Sequence, residues 1–162
     1  MLLVCVGTVL ITSPVQANDS LNVELVGQIG GSTKAVFVRD NYAYIGEGTR
    51  LVILDVSNPA QPKLLSKSPV LSDLVRDIFV TGDYAYVANG NGGLSIINVS
   101  NPYNLTTESN FATPDRALHV ANGHVYLATD SNDLKIIDVT NSKLPKLVNT
   151  VTMPLLTRDV YI

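Results

Sequence analysis

Four cationic side chains recur along the sequence at a nearly constant interval. Each stands four residues before the end of a short apolar run, with spacings of 42, 40 and 42 residues: Lys34, Arg76, Arg116 and Arg158. Arginine presents a planar fork of donors that suits carboxylate or phosphate. If equivalent positions meet around one axis, these cations converge, and converging like charges cost energy unless anions neutralise them. Two interpretations stay open. The cations form an anion-binding site, or they form a structural ring of intramolecular ion pairs with the adjacent acids Asp77, Asp115 and Asp159.

A second recurrent polar group ends another apolar run of each repeat, at Asp55, Asn98 and Asp138. Each precedes a Ser/Thr-Asn turn, where a side-chain oxygen can accept hydrogen bonds from backbone N–H groups. An amide at position 98 would serve poorly as a catalytic carboxylate. We therefore predict that the three residues are structural corners.

Other candidate groups fit ordinary structural roles. His119 and His124 stand where the other repeats carry Phe or Tyr, and no spacing offers a third metal ligand. The loops at 89–93 and 130–133 are rich in Asn, Asp and Gly, which are common turn residues and match no EF-hand loop. No Gly-x-Ser-x-Gly elbow is present. We expect no catalytic residues, no metal and no cofactor.

The elements that position these residues form an internal repeat of 40 to 42 residues. Each repeat reads as strands a, b, c and d, and the a strands are predicted at 35–38, 77–80, 117–120 and 159–162. Asn122-Gly123 is a strong signal for a tight hairpin between a and b. The d strands are predicted at 63–66, 105–109 and 146–151. Repeats of this length with four strands are typical of β-propeller blades.

The predicted fold class is all-β, a β-propeller of antiparallel four-stranded blades with essentially no helix. The blades span 34–74, 75–114 and 115–156, a fourth starts at 157, and residues 21–29 resemble an isolated d strand. Propellers usually have four to eight blades, and a blade needs neighbours on both faces. We expect the sequence to be a truncated reading of a protein with six to eight blades.

The c strands carry a family resemblance. Residues 51–59 read LVILDVSNP, with echoes LSIINVSNP at 94–102 and LKIIDVTN at 134–141. This pattern resembles the LVIVD-repeat family of extracytoplasmic, propeller-like proteins of bacteria and archaea, over about residues 34 to 162. Asn98 and Ser142 depart from the Asp and Pro of the pattern. The resemblance implies a surface or periplasmic propeller, with no catalytic residues to carry over. The absence of Trp argues against a WD-type propeller.

The N-terminus and composition indicate export. Residues 2–11 are apolar and Val15-Gln16-Ala17 fits a signal-peptidase site, so residues 1–17 read as a signal peptide, although no Lys or Arg follows Met1. A buried first strand is the alternative. The expected location is secreted, periplasmic or cell surface, with no membrane span in the mature chain. A formal net charge of -3 gives no reason to expect nucleic acid.

The sequence favours an exported, non-enzymatic binding module over an enzyme. Its partner would be a protein, a peptide or an anionic small molecule, bound at the mouth of the central channel that propeller blades surround. The sequence does not distinguish among these partners. The alternative is a propeller-type hydrolase or lyase whose catalytic residues lie in blades outside this sequence. Fold alone does not decide between them.

Overall fold

The computed structural model describes residues 33–155 and 157–161. The predicted signal peptide at 1–17, the predicted outer strand at 21–29, Leu156 and Ile162 lie outside the described residues.

Three four-stranded antiparallel sheets follow one another along the chain, each with its strands in sequence order. Sheet 1 holds β1 to β4, sheet 2 holds β5 to β8 and sheet 3 holds β9 to β12. The strands are β1 (Thr33–Arg39), β2 (Tyr42–Glu47), β3 (Arg50–Asp55), β4 (Lys63–Lys67), β5 (Asp77–Thr81), β6 (Tyr84–Ala88), β7 (Leu94–Asn98), β8 (Thr106–Phe111), β9 (Ala117–Ala121), β10 (His124–Ala128), β11 (Asp133–Asp138) and β12 (Lys146–Thr152).

Turn chemistry and local irregularities repeat with the strands. The hairpin of sheet 3 turns at Asn122 and Gly123, which both have positive φ, of 49° and 73°, as a type I′ turn requires. In every sheet the pairing between the third and fourth strands shifts register at the same place, between Ile53 and Leu54 in sheet 1 and at the equivalent residues of sheets 2 and 3. Such bulges increase the local twist of each sheet.

The hydrophobic core lies between consecutive sheets. Between sheets 1 and 2, the face of sheet 1 that carries Tyr44 and Ile53 packs against the face of sheet 2 that carries Ile78 and Val87. The next interface repeats this arrangement, with Tyr86 and Ile96 of sheet 2 against Leu118, Leu127 and Ile137 of sheet 3. Each sheet of this kind buries both faces only when it has a neighbour on each side.

Polar contacts also recur across the interfaces. Ser66 Oγ donates to the carbonyl of Pro102 at 2.6 Å, and Ser109 Oγ donates to the carbonyl of Ser142 at 2.5 Å. Ser66 and Ser109 face equivalent isoleucines of the adjoining strand in their own sheets. Successive sheets are therefore related by one repeated packing geometry.

The predicted all-β chain of antiparallel four-stranded repeats is confirmed, and the helix of the described part is a single 3₁₀ turn, Gly90–Gly92. The a strand expected at 159–162 is not formed over residues 157–161, which pair with no second strand among the described residues. No helix in the described ranges has the length and apolar character needed to cross a bilayer.

Candidate functional site

The candidate site lies on one edge of the three sheets, which we call the loop face. It comprises the loops between second and third strands, at 47–50, 89–93 and 129–132, and the connections between sheets, at 68–76 and 112–116. The backbone holds two cations of the predicted series here. Arg76 N–H donates to the carbonyl of Ala88 at 2.8 Å, and Arg116 N–H donates to that of Ala128 at 2.9 Å.

Arg76 and Arg116 converge on one carboxylate, that of Asp130. Asp130 Oδ1 forms an ion pair with Arg116 Nε, and its Oδ2 lies 3.7 Å from Arg76 Nη1. The side chains of the two arginines are 30% and 37% exposed, so they are screened by solvent only in part. Equivalent arginines from two neighbouring sheets therefore share a single anion.

The acids that the sequence offered as partners do not fill that role. The Asp77 carboxylate accepts hydrogen bonds from the backbone N–H groups of Ile78 and Leu118, both at 2.8 Å. Burial raises the pKa of Asp77, and these two N–H groups lower it in part. Asp159 likewise accepts from its neighbour, Val160 N–H, at 2.8 Å. The expected pairing with the adjacent arginines is wrong for Asp77, because successive side chains of an extended chain point to opposite sides.

Asp115 is the most unusual group of the loop face. It is fully buried, with no exposed surface. The backbone N–H groups of Gly90 and Asn89 lie near its carboxyl oxygens, but not with the geometry of full hydrogen bonds. Burial raises the pKa of Asp115 to about 8, and the nearby Gly90 backbone and Arg76 charge offset that effect only in part. The carboxyl of Asp115 is therefore mostly protonated at neutral pH, and Asp130 remains the ionised partner of the two arginines.

A further carboxylate, Asp73, lies over the loop of sheet 2. Its Oδ2 accepts hydrogen bonds from Asn91 N and Asn91 Nδ2, both at 3.0 Å. The backbone hydrogen bond from Asn91 is the main cause that holds the pKa of Asp73 below its usual value. A Cβ atom at Gly90 would lie 2.7 Å from Asp73 Oδ2 and 2.9 Å from Arg76 Nε. The ionised Asp73 carboxylate therefore packs against the Cα of Gly90, next to the Arg76 side chain.

The other two cations of the series stand apart from this cluster. Lys34 lies on β1, forms no ion pair with a described residue, and lines a cavity of about 300 Å³ together with Gly46, Gly48, Leu74 and Val75. Arg158 is exposed and likewise has no ion-pair partner in the described ranges. The structure thus brings Arg76 and Arg116 together and leaves Lys34 and Arg158 without a described counter-ion.

The repeated corner residues are engaged by the backbone. Asp55 Oδ1 accepts from Ser57 N at 2.8 Å, Asn98 Oδ1 from Ser100 N at 3.0 Å and Asp138 Oδ1 from Thr140 N at 2.9 Å. Hydrogen bonds from Ser57 and Thr140 lower the pKa of Asp55 and Asp138. All three side chains close the turn that follows the third strand of their sheet.

The two histidines have different surroundings. His119 belongs to a row of aromatic rings in tilted and edge-on contact, with centroid separations of 5.1 Å for Phe37–Phe79, 4.8 Å for Phe79–His119 and 5.3 Å for His119–Tyr161. The first three rings lie on the first strands of the three sheets. His124 Nδ1 lies 2.9 Å from the carbonyl of Asn122 in a hairpin turn. No cluster of three or more metal-ligating side chains occurs within the described ranges.

Three consecutive four-stranded sheets that pack face to face define a propeller-like repeat protein. Family models give the particular class: the LVIVD repeat matches residues 30–68, 74–113 and 116–153. These stretches cover more than half of the sequence, and the chain belongs to the LVIVD repeat family. The resemblance seen in the sequence is confirmed.

Solved structures show the same fold at low sequence identity. The computationally designed Ika8 protein is similar with a TM-score of 0.63 and 12% identity, over 81% of this chain and 40% of the Ika8 chain. The computationally designed Ika4 protein gives a TM-score of 0.63 and 14% identity, over 81% of this chain and 80% of the Ika4 chain. This chain therefore spans less than half of the length of Ika8. A search of curated proteins found no significant match.

Proposed function

We propose that this protein is a non-enzymatic binding module that presents its loop face to an anionic ligand or to an acidic segment of a partner. The observation that carries the proposal is the convergence of Arg76 and Arg116, two cations from neighbouring sheets, on the single carboxylate of Asp130. Lys34 and Arg158 repeat the same position and have no described counter-ion. Cations without an acidic partner attract anions even on a protein whose formal net charge is -3.

A propeller arrangement would bring the four cations toward one axis. The first strands of the three sheets, β1, β5 and β9, lie side by side. The row of aromatic side chains on these strands continues to Tyr161, which follows the third sheet. Such a rigid scaffold with loops on one edge suits recognition, because the site is preorganised before the ligand binds.

A hydrolase or lyase is less well supported by the described residues. Burial raises the pKa of Asp115 to about 8, and the charge of Asp130 adds a smaller effect. Acid–base catalysis uses carboxyl groups with raised pKa values of this kind. Asp115, however, has no exposed surface and cannot reach a substrate at the loop face. Binding therefore accounts for the geometry better than catalysis on these residues.

The proposal can be tested with a hexaglutamate peptide as the probe and hexaglutamine as the neutral comparison. We expect hexaglutamate to bind by calorimetry, with affinity that falls as salt is raised from 50 to 300 mM. The variant K34Q/R158Q should lose about fivefold or more in affinity, and R76Q/R116Q should also weaken binding. The control K63Q/K146Q removes two lysines of fourth strands, away from the loop face. Equal losses in the control, or no binding of hexaglutamate, would overturn the proposal.

We also propose that the protein is exported, in agreement with the signal-like residues 1–17. Material isolated from its native host should begin near Asn18 by N-terminal sequencing. Recovery of cytoplasmic protein that retains Met1 would contradict this proposal.

A further inference from the structure

The loops of the three sheets carry equivalent positions at Gly48, Gly90 and Asp130. Each stands six residues after the first residue of the second strand of its sheet. The backbone is alike at Gly48 and Gly90, which both have a φ near +60°, whereas the residue with such a φ in the loop of sheet 3 is Asn132. Gly48 and Gly90 also accept hydrogen bonds from the connection to the next sheet, from Val75 N at 2.9 Å and from Asp115 N at 3.0 Å respectively. Each position lies in the same sheet as one cation of the series, Lys34, Arg76 and Arg116 in that order.

A carboxylate accompanies the cation in two of the three sheets. In sheet 3 the loop itself supplies it, because Asp130 forms an ion pair with Arg116. In sheet 2 the loop has glycine, and the space above Gly90 is filled by the Asp73 carboxylate beside Arg76. The acid comes from a different part of the chain in each case, and in both sheets it lies beside the arginine.

Sheet 1 has the cation, but no described carboxylate pairs with it, because the acid of its loop, Glu47, pairs with Lys67. A Cβ atom at Gly48 would meet no atom within 4 Å, and this open space belongs to the cavity of about 300 Å³ that Lys34 lines. Lys34 forms no ion pair with the described residues. Among the described residues, Arg76 and Arg116 each lie beside a carboxylate, whereas no acid pairs with Lys34.

The rest of the cavity wall is apolar. Leu74 and Val75 line it, and Val75 packs so closely on Gly46 that a Cβ there would lie 2.6 Å from Val75 Cγ1. In the next repeat the position of Val75 is held by Asp115, so this combination of one cation and an aliphatic wall is particular to sheet 1. The volume is at the lower end of the range for ligand pockets, which is about 300 to 1,000 Å³.

We propose that the cavity beside Lys34 binds a small aliphatic carboxylate, with its carboxylate above Gly48 and paired with Lys34 and its hydrocarbon part against Leu74 and Val75. This inference rests on the proposed function and names a ligand class for one part of the loop face. A partly enclosed ion pair is stronger than one in bulk water. A ligand of this size should bind with a Kd on the order of 0.1–1 mM.

The test is an NMR titration of the full chain with 4-methylpentanoate, and with the uncharged 4-methylpentanamide as the matched compound. The carboxylate should shift the amide signals of Gly46, Gly48 and Val75 in a saturable way, and the amide should bind at least tenfold more weakly. K34Q should lose at least tenfold in affinity for the carboxylate. K63Q, which removes an exposed lysine of β4 in the same sheet, should bind like the unaltered protein.

A second variant, G48D, builds into sheet 1 the acid that sheet 3 carries at Asp130. We expect it to compete internally for Lys34 and to abolish binding of 4-methylpentanoate. Aspartate is among the residues that tolerate positive φ, as Asp40 does at 54° in this chain. If G48D fails to fold, the result with K34Q decides the question, because Lys34 is exposed and its replacement leaves the core intact.

The inference is overturned if 4-methylpentanoate does not bind, if the amide binds equally well, or if K34Q retains full affinity. Hexaglutamate is measured on the same samples, which separates the two proposals. Hexaglutamate binding without carboxylate binding in the cavity overturns this inference alone. Carboxylate binding in the cavity without hexaglutamate binding overturns the wider acidic-partner function and leaves the cavity site standing.

Discussion

Asp115 occupies, between sheets 2 and 3, the position that Val75 occupies between sheets 1 and 2. Each residue donates its backbone N–H to the carbonyl of the left-handed glycine in the preceding loop, and both side chains are buried, with 0% and 1% exposure. The fold thus accepts an apolar side chain at this position in one interface and buries a carboxyl at it in the next. Burial of an acid favours its uncharged form.

The first prediction concerns the pH dependence of stability. Below about pH 4 the Asp115 carboxyl is protonated in both the folded and the unfolded chain. Between the usual pKa of 3.8 and the folded value of about 8, only the unfolded chain releases the proton. The contribution of Asp115 to the free energy of unfolding should therefore fall as pH rises, by up to about 1.4 kcal/mol per pH unit, and level off above pH 8.

The variant D115V restores the valine of the equivalent position and should remove this contribution. We expect D115V to be more stable than the unaltered protein at pH 7 and above by about 1–4 kcal/mol. The difference should shrink toward pH 4. Urea unfolding at pH 5, 7 and 9 measures it, with D115N as the polar, non-titrating control. A pH-independent difference between D115V and the unaltered protein would show that Asp115 does not titrate as described.

The second prediction concerns Asp130, the shared partner of Arg76 and Arg116. D130N removes the ionised oxygen from both arginines, and because the three side chains are about a third exposed, the loss in stability should be small, about 1 kcal/mol or less. The release of two guanidinium groups should strengthen binding of hexaglutamate. D40N serves as the control, because Asp40 pairs with Arg39 in an exposed hairpin. Weaker peptide binding by D130N would mean that Asp130 itself contacts the ligand.

The strands could be predicted from the sequence because they repeat in phase. The a strand predicted at 117–120 is observed at Ala117–Ala121, and the Asn122-Gly123 turn was readable from its composition. Their positions depend on local turn chemistry and on apolar patterning, which a single sequence shows directly. The strand predicted at 159–162 is not observed over the described residues. A local apolar pattern predicts strand propensity, but a strand also needs a second strand to pair with, which a local pattern does not reveal.

The partners of the cations could not be predicted in the same way. Asp77 is adjacent to Arg76 in sequence, yet its carboxylate accepts the N–H of Leu118 in the next sheet. Asp130, which joins Arg76 and Arg116, read as an ordinary turn residue. The sequence did hold one signal for Asp130. When the loops between second and third strands are aligned, Asp130 stands where the other two loops have Gly48 and Gly90. Proximity in sequence is a poor guide to ion pairing between sheets.

The third prediction concerns the serines that link successive sheets. S66A and S109A each remove one hydrogen bond to a carbonyl of the next sheet and should each cost about 0.5–1.5 kcal/mol in unfolding free energy. The two bonds lie at different interfaces, so the costs should add in the double variant. N149A is the control, because Asn149 holds the equivalent position in β12 and is exposed. Equal losses in N149A would show that these serines act through their own strands.

The last prediction concerns the row of aromatic rings. His119 lies between Phe79 and Tyr161, in tilted and edge-on contact at centroid separations of 4.8 Å and 5.3 Å. H119F should keep these ring contacts with a ring that is less costly to bury and should stabilise the protein by about 0.5–1.5 kcal/mol, whereas H119A should destabilise it. H124F is the matched control, because His124 lies beside the carbonyl of Asn122 in a turn, and it should give no gain. Urea unfolding at pH 7 measures all three variants. A loss of stability in H119F would show that the imidazole nitrogens of His119 make polar contacts that outweigh its aromatic contacts.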